Sequence, residues 1–354
     1  MSTVMTVLGP KPANELGVTI THEHLFIDLS CYFREAQSEE AARAFAEPVT
    51  LANLYQMRRD PYGSRDNCIL DDPSLAAREV EIFCRAGGRT IVDVTLPDIG
   101  RDVRKLQEVS RRTGVNIVAG CGHYIVSAWP PDLVDRSEDE LARELIREIR
   151  EGVEDTGVRP GIIGEIGTSN PIHPVEKRML RAAAFAQRET GLAVTVHVHP
   201  PGRRGHEVLD ILTGEGVPAD RIILDHIDAA LAHADIDFAQ GVDYIASLAG
   251  RGCYVEFDLC GNSGYFVTSE ASWWLPSDRE RAKAIAWLCR HGHDRQILLS
   301  QDVGHKHYLQ EYGGWGYGHV LTDFSHHLKE AGVETATISR FFVDNPAKVL
   351  SADP

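Results

Sequence analysis

The chain has no apolar run approaching the roughly 18 residues that a membrane-crossing helix needs, and its N-terminal stretch lacks a basic flank and a long apolar segment. No membrane partner and no secretory signal are expected, and the chain reads as cytoplasmic. Lysine and arginine never cluster: 36 of them stand against 52 acidic side chains, for a formal charge of −16. Nucleic acid is therefore not an expected partner. Cysteine is sparse, seven scattered residues without a Cys-x-x-Cys pair, which argues against both a disulfide framework and a thiolate metal site. Nor does a Pro/Gly/Ser-rich linker or low-complexity tract divide the 354 residues. One domain spanning 1–354 is expected, a length that barrel folds reach.

What the chain does contain is a repeat of short apolar runs: Gly17 to His24, Arg89 to Thr95, Val115 to Gly122, Gly161 to Ile166, Leu192 to His199, Arg221 to His226, Cys253 to Asp258 and Gln296 to Asp302. Between them, Leu75 to Ala86, Val103 to Arg112, Glu138 to Glu151, Pro174 to Arg188 and Arg279 to Arg290 carry apolar residues at helical spacing. Strand then helix, eight times over, predicts a (β/α)8 TIM barrel of the α/β class with its site at the C-terminal strand ends. The longest stretch without a strand signal, about 30–67, follows the first strand and reads as a lid or an inserted helical segment.

Five of the runs end in His, Glu or Asp, where barrel strands open into an active-site mouth. In Thr21-His22-Glu23-His24, alternation along the strand places His22 and His24 on one face, able to grip one metal ion. Val194-Thr195-Val196-His197-Val198-His199 repeats the arrangement, and Ile222-Ile223-Leu224-Asp225-His226 ends in a further imidazole. Packing alone does not explain apolar runs ending in histidine on three strands. Imidazoles at this density, without thiolates, suit Zn, Mn, Fe, Ni or Co rather than Ca or Mg. Glu165, in Gly164-Glu165-Ile166-Gly167, and Asp302, after Leu298-Leu299-Ser300-Gln301, are carboxylates that would be costly to bury without a cation.

The ordered set Val7-Leu8-Gly9, Leu16-Gly17, Thr21-His22-Glu23-His24, Gly164-Glu165-Ile166-Gly167-Thr168-Ser169 and Asp344-Asn345-Pro346 resembles the phosphotriesterase family of the amidohydrolase superfamily over nearly the whole chain. The resemblance implies two divalent transition-metal ions, zinc first, held by His22, His24, Glu165, His197, His226 and Asp302. His22, His24 and Asp302 would take the more buried ion, His197 and His226 the more exposed one, with Glu165 between them. Asp302 would also act as the catalytic proton shuttle. Many relatives bridge their metals with a carboxylated lysine on the fourth strand, but this strand has no lysine and Lys177 belongs to a helical pattern. The chain is thus similar to the glutamate-bridged branch.

For substrate contacts, Tyr124 resembles a family position leaning over the exposed metal, and His199 lies beyond His197 on the same face, nearer the mouth. Trp273, with Trp274, Tyr265 and Phe266, is placed to line a pocket, and Lys306, Arg203 and Arg204 to meet a carboxylate. The expected reaction is hydrolysis of a small-molecule carboxylic ester or lactone, with an N-acyl amide second and a phosphoester third. A metal-containing binding protein is the non-enzyme alternative. A homodimer is compatible with the chain.

Overall fold

The computed structural model describes residues 2–36, 38–267 and 272–352. Eight parallel strands follow one another around a sheet: β1 Thr19–Glu23, β2 Thr90–Asp93, β3 Asn116–Cys121, β4 Ile162–Thr168, β5 Val194–Val198, β6 Ile222–Asp225, β7 Tyr254–Phe257 and β8 Ile297–Leu299. Helices alternate with them, among them Pro73–Arg85, Val103–Thr113, Glu138–Glu151, Pro174–Thr190, Gly205–Gly214, Phe238–Ala249 and Asp278–Arg290. This is the TIM barrel that the sequence pattern predicts.

Local chemistry sets the helix ends. Ser137 with Glu140, Asp237 with Gln240 and Ser277 with Glu280 form capping boxes, each satisfying backbone donors that a helix start leaves open. Gly114 and Gly191 stop their helices in the left-handed region at φ 74°, where a Cβ would be strained.

The apolar residues divide into two cores. One fills the layer between barrel and helices, with Ile20, Ile91, Ile117, Ile163, Val194 and Leu224 facing Phe83, Leu106, Leu145 and Met179. The other lies inside the barrel: Val92, Val94, Val118, Ile162, Ile223 and Leu298 meet Val4, Leu16 and Leu350, which plug the lower end. The Val4 plug comes from an antiparallel pair, Thr3–Thr6 with Gly9–Pro12. With that end sealed by apolar packing, the open end lies at the C-terminal strand ends.

Closure of the barrel does not use a ladder. Among the described residues no strand-to-strand pairing joins β8 to β1. Side chains bridge the seam instead: the Ser300 hydroxyl accepts from the His22 N–H at 3.1 Å and has the His22 carbonyl at 2.7 Å and Glu23 at 2.6 Å as the two acceptors for its one proton. Glu23, pointing away from its neighbours His22 and His24, accepts from Ser300 at 2.6 Å, from the Gln301 N–H at 2.8 Å and side-chain amide at 2.6 Å, and from the Val303 N–H at 3.0 Å.

Seven of the eight strands stop earlier than their apolar runs do, β4 being the exception. His24, His199, His226, Asp258 and Asp302 all fall just beyond their strands, because the backbone turns there. His226 and Asp302 adopt left-handed φ values of 60° and 50°, a conformation costing about 1–3 kcal/mol that surrounding contacts must hold. The stretch after β1 contains helices Glu39–Ala46 and Leu54–Arg59, tied down by the short pair Ile27–Asp28 with Ile69–Leu70. Among the described residues no helix is long and apolar enough to cross a membrane.

Candidate metal centre

All six residues of the expected ligand set meet at the open end of the barrel. Glu165, buried on β4, lies at the middle: its Oε1 is 3.2 Å from His24 Nε2, and its Oε2 is 3.6 Å from His22 Nε2, 3.2 Å from His197 Nδ1 and 3.6 Å from His226 Nε2. Asp302 Oδ1 stands 3.2 Å from His24 Nε2 and 3.8 Å from His22 Nε2. His197 Nδ1 and His226 Nε2 are 2.8 Å apart.

These spacings test whether the donors fit a cation. Ligand atoms bonded at about 2.0–2.2 Å in a tetrahedral shell lie roughly 3.3–3.6 Å from one another, a range that the carboxylate–imidazole distances here, 3.2 to 3.8 Å, bracket. His22 Nε2 and Glu165 Oε2 are buried and have no hydrogen-bond partner among the described residues, an arrangement that costs free energy unless a cation takes up those lone pairs. The donor set is nitrogen and oxygen without sulfur, suited to a transition metal. The residues present therefore fit a metal centre.

The layer beneath fixes the ligands. The His24 ring is held by Thr95 at 2.8 Å, while Asp258 accepts from both the ring (2.9 Å) and the N–H (2.9 Å) of His226, stabilising its left-handed turn. Thr195 donates to Asp225 at 2.6 Å, and Thr21 donates to Glu256. Asp225, Glu256 and Asp258 were not among the residues singled out as ligands. Asp258 ends the seventh apolar run, and counting back by two from it along the strand reaches Glu256, so alternation carried the signal.

Electrostatics follow from this crowding. Burial alone would raise the Glu165 carboxyl, but His22 and the other surrounding imidazoles hold it well below the usual carboxylate range. Burial opposes a charge on His24, yet Asp302 and Glu165 lift it to about 9. His226 is likewise raised against burial by Asp258 and Glu165. Glu256 is pushed up by burial and by Asp225 and Asp258, which favours its neutral form.

Above the centre is a chamber that opens to solvent, with about 800 Å³ of empty space when the solvent at its mouth is counted. Tyr124, His199 and Trp273, the candidate substrate contacts, line it together with Tyr32, Tyr62, Asn262, His305 and Tyr308. The Tyr124 hydroxyl lies 3.2 Å from His197 Nδ1 and accepts from Tyr32 at 3.1 Å. Burial, with His197 and His226 nearby, drops His199 to about 4, and burial does the same for His305, so both act as neutral rings. Lys306 does not join them: its ammonium is committed to Asp66 at 2.6 Å outside the chamber, correcting the expectation of a substrate contact. Arg204 bonds Asn170 at 2.8 Å and, like Arg203, is absent from the chamber wall. Residues 268–271, and the side chains of Tyr265 and Phe266 from the expected aromatic lining, lie outside the described residues. Lys177 pairs with Glu207 at 2.7 Å on the barrel exterior, away from β4.

A plugged barrel that gathers imidazoles and carboxylates under an enclosed chamber defines the class of metal-dependent barrel hydrolases. The phosphotriesterase family model matches residues 2–350, and the chain belongs to that family. A resiniferatoxin-binding protein from Rhodobacter sphaeroides is similar in structure, with a TM-score of 0.94, 38% identity and coverage of 99% of this chain and 95% of that one. An N-acetyltaurine hydrolase from Tetraodon nigroviridis is 33% identical over 98% of this chain and 97% of its own. A lactonase from Listeria monocytogenes aligns over 99% of both chains, with a TM-score of 0.76 and 25% identity.

Proposed function

We propose that the protein cleaves a carboxylic ester or lactone with two divalent transition-metal ions, zinc first. His22, His24 and Asp302 would hold one ion, His197 and His226 the other, and Glu165 would lie between them. The observation that carries this reading is the convergence of six ligand-type side chains, with buried atoms on His22 and Glu165 that lack a hydrogen-bond partner among the described residues, under a chamber that opens to solvent. When bound, the metals supply Lewis acidity and acidify a water.

The chain's own groups do the rest. Asp302 would stand next to the attacking water, take its proton and deliver it to the leaving oxygen or nitrogen. Tyr124 and His199 would hydrogen-bond the bound substrate, while the apolar wall excludes bulk water. A second reading, hydrolysis of an N-acyl amide, uses the same residues and is supported by the N-acetyltaurine hydrolase relatives.

The test is a screen of metal-reconstituted protein against esters, lactones, N-acyl amides and phosphoesters, read by proton release. Turnover confined to carbonyl substrates, falling by roughly two orders of magnitude or more in Asp302→Asn, is expected. Turnover confined to phosphoesters contradicts the reading, and inactivity on the whole panel favours a binding protein.

A further inference from the structure

Polar groups in and beside the chamber wall are mostly committed to the framework. The Tyr124 hydroxyl meets Tyr32 and His197, and Lys306 pairs with Asp66. His305 differs. Its ring belongs to the wall, yet both ring nitrogens are buried and have no hydrogen-bond partner among the described residues. His307, two residues further on, shows the ordinary alternative, with its Nδ1 3.0 Å from the Asn67 side-chain oxygen. Packing alone orients the His305 ring, against Tyr62 at 4.9 Å, Tyr308 at 5.1 Å and His307 at 5.6 Å between centroids.

Tyr308 lines the chamber beside it. Its hydroxyl accepts from the Asn262 amide at 2.8 Å, and among the described residues its own proton has no acceptor. A neutral imidazole has one donor and one acceptor, and a phenol that already accepts one bond keeps its donor. The two adjoining side chains therefore offer two donors and one acceptor that the framework does not use, and such groups gain when a ligand pairs them. An anion is not what they suit: the wall has no lysine or arginine among the described residues, and the charge of Asp302 acts on both. His305 is three residues beyond Asp302, at most about 11 Å of chain. The Gly304 N–H returns to the Asp302 carbonyl at 2.9 Å, so that chain turns rather than extends, and a small molecule held at the metal centre reaches the pair.

We propose that His305 and Tyr308 determine specificity: together they bind an uncharged substrate group that both donates and accepts, a hydroxyl, carried beside the scissile carbonyl. The inference rests on the hydrolase reading above. The substrate hydroxyl donates to the open imidazole nitrogen and accepts from the Tyr308 O–H. A methyl group in the same place leaves both unpaired, which is how a polar site rejects an apolar analogue. Asn262 is a positioning residue, since it occupies one lone pair of the Tyr308 oxygen and so orients the remaining donor.

The experiment takes esters, lactones and N-acyl amides in matched pairs that differ only in a hydroxyl against a methyl group. In the metal-loaded protein the hydroxyl member of the best pair should have a kcat/KM about tenfold or more above its partner. His305→Phe and Tyr308→Phe should each lower that ratio, and the double variant should bring it to about one. His305→Phe should also melt no lower than the unmodified protein, because an apolar ring replaces nitrogens that the framework leaves unpaired. Tyr308→Phe removes a single oxygen and carries the test alone should His305→Phe not fold. A ratio near one in the unmodified protein, or one unchanged by the substitutions, overturns the inference, and lost stability with the ratio intact makes His305 a framework residue. Lack of turnover on every pair by the unmodified protein overturns the hydrolase reading instead. Calorimetric binding of the uncleaved pairs then still reads the two residues: a hydroxyl preference that falls about tenfold in the double variant supports the inference, and an equal preference overturns it.

Discussion

Glu23 and Glu165 are both buried carboxylates at the open end of the barrel, and their oxygens are met in opposite ways. Glu23 accepts from Ser300, twice from Gln301 and from Val303, all within 3.0 Å. Glu165 Oε2 has no hydrogen-bond donor and faces imidazole nitrogens at 3.2 to 3.6 Å. Burial dominates Glu23, and even its full set of donors leaves it raised to about 6; the imidazoles drive Glu165 the other way. A carboxylate satisfied by the framework closes the barrel, whereas one left to imidazoles is arranged for a cation.

The comparison breaks most readily at Glu165. Glu165→Gln should lower turnover by about three orders of magnitude, about 4 kcal/mol of transition-state stabilisation, and lower thermal stability only in the metal-loaded protein. Metal content and melting, with and without chelator, check this; equal destabilisation in both states would make Glu165 a framework residue like Glu23.

Glu23→Ala should act in reverse, destabilising loaded and stripped protein alike by roughly 3 kcal/mol, because buried donors on Ser300, Gln301 and Val303 lose their acceptor. Denaturant unfolding measures it, and a loss seen only with metal present would remove the distinction.

The smallest effect is a pH dependence. A carboxyl raised in the folded state contributes stability below its unfolded value of 4.5, and that contribution is lost as pH rises through about 6. The stability deficit of Glu23→Gln relative to the unmodified chain should therefore narrow by about 2 kcal/mol between those pH values. A deficit that stays constant would mean that the Glu23 carboxyl is not raised by burial.

The barrel was legible in the sequence because it rests on strict periods, and the same periods marked the side chains that meet at its open end, while their roles as ligands were implied by the family resemblance. Strand alternation puts His22 with His24 and His197 with His199, and an apolar run ending in Glu or Asp is conspicuous. Strand ends were less legible: the runs continue to His226 and Asp302, but left-handed backbone at those residues takes them out of the strands. The Ser300–Glu23 seam was hidden for a related reason, since β8 and β1 are distant in sequence and no period links a side chain to a carbonyl across a barrel closure. Lys306 was misplaced because sequence shows a cation in the loop after the eighth strand but not the Asp66 that captures it.

Glu165 would supply from the gene product the bridging carboxylate that lysine-bridged relatives make from carbon dioxide. Apo-protein rebuilt with zinc or manganese in degassed, bicarbonate-free buffer, followed by elemental analysis and turnover, tests it most directly. The account predicts about two ions per chain, bound as fast and as fully as with bicarbonate added. A clear bicarbonate requirement would contradict it.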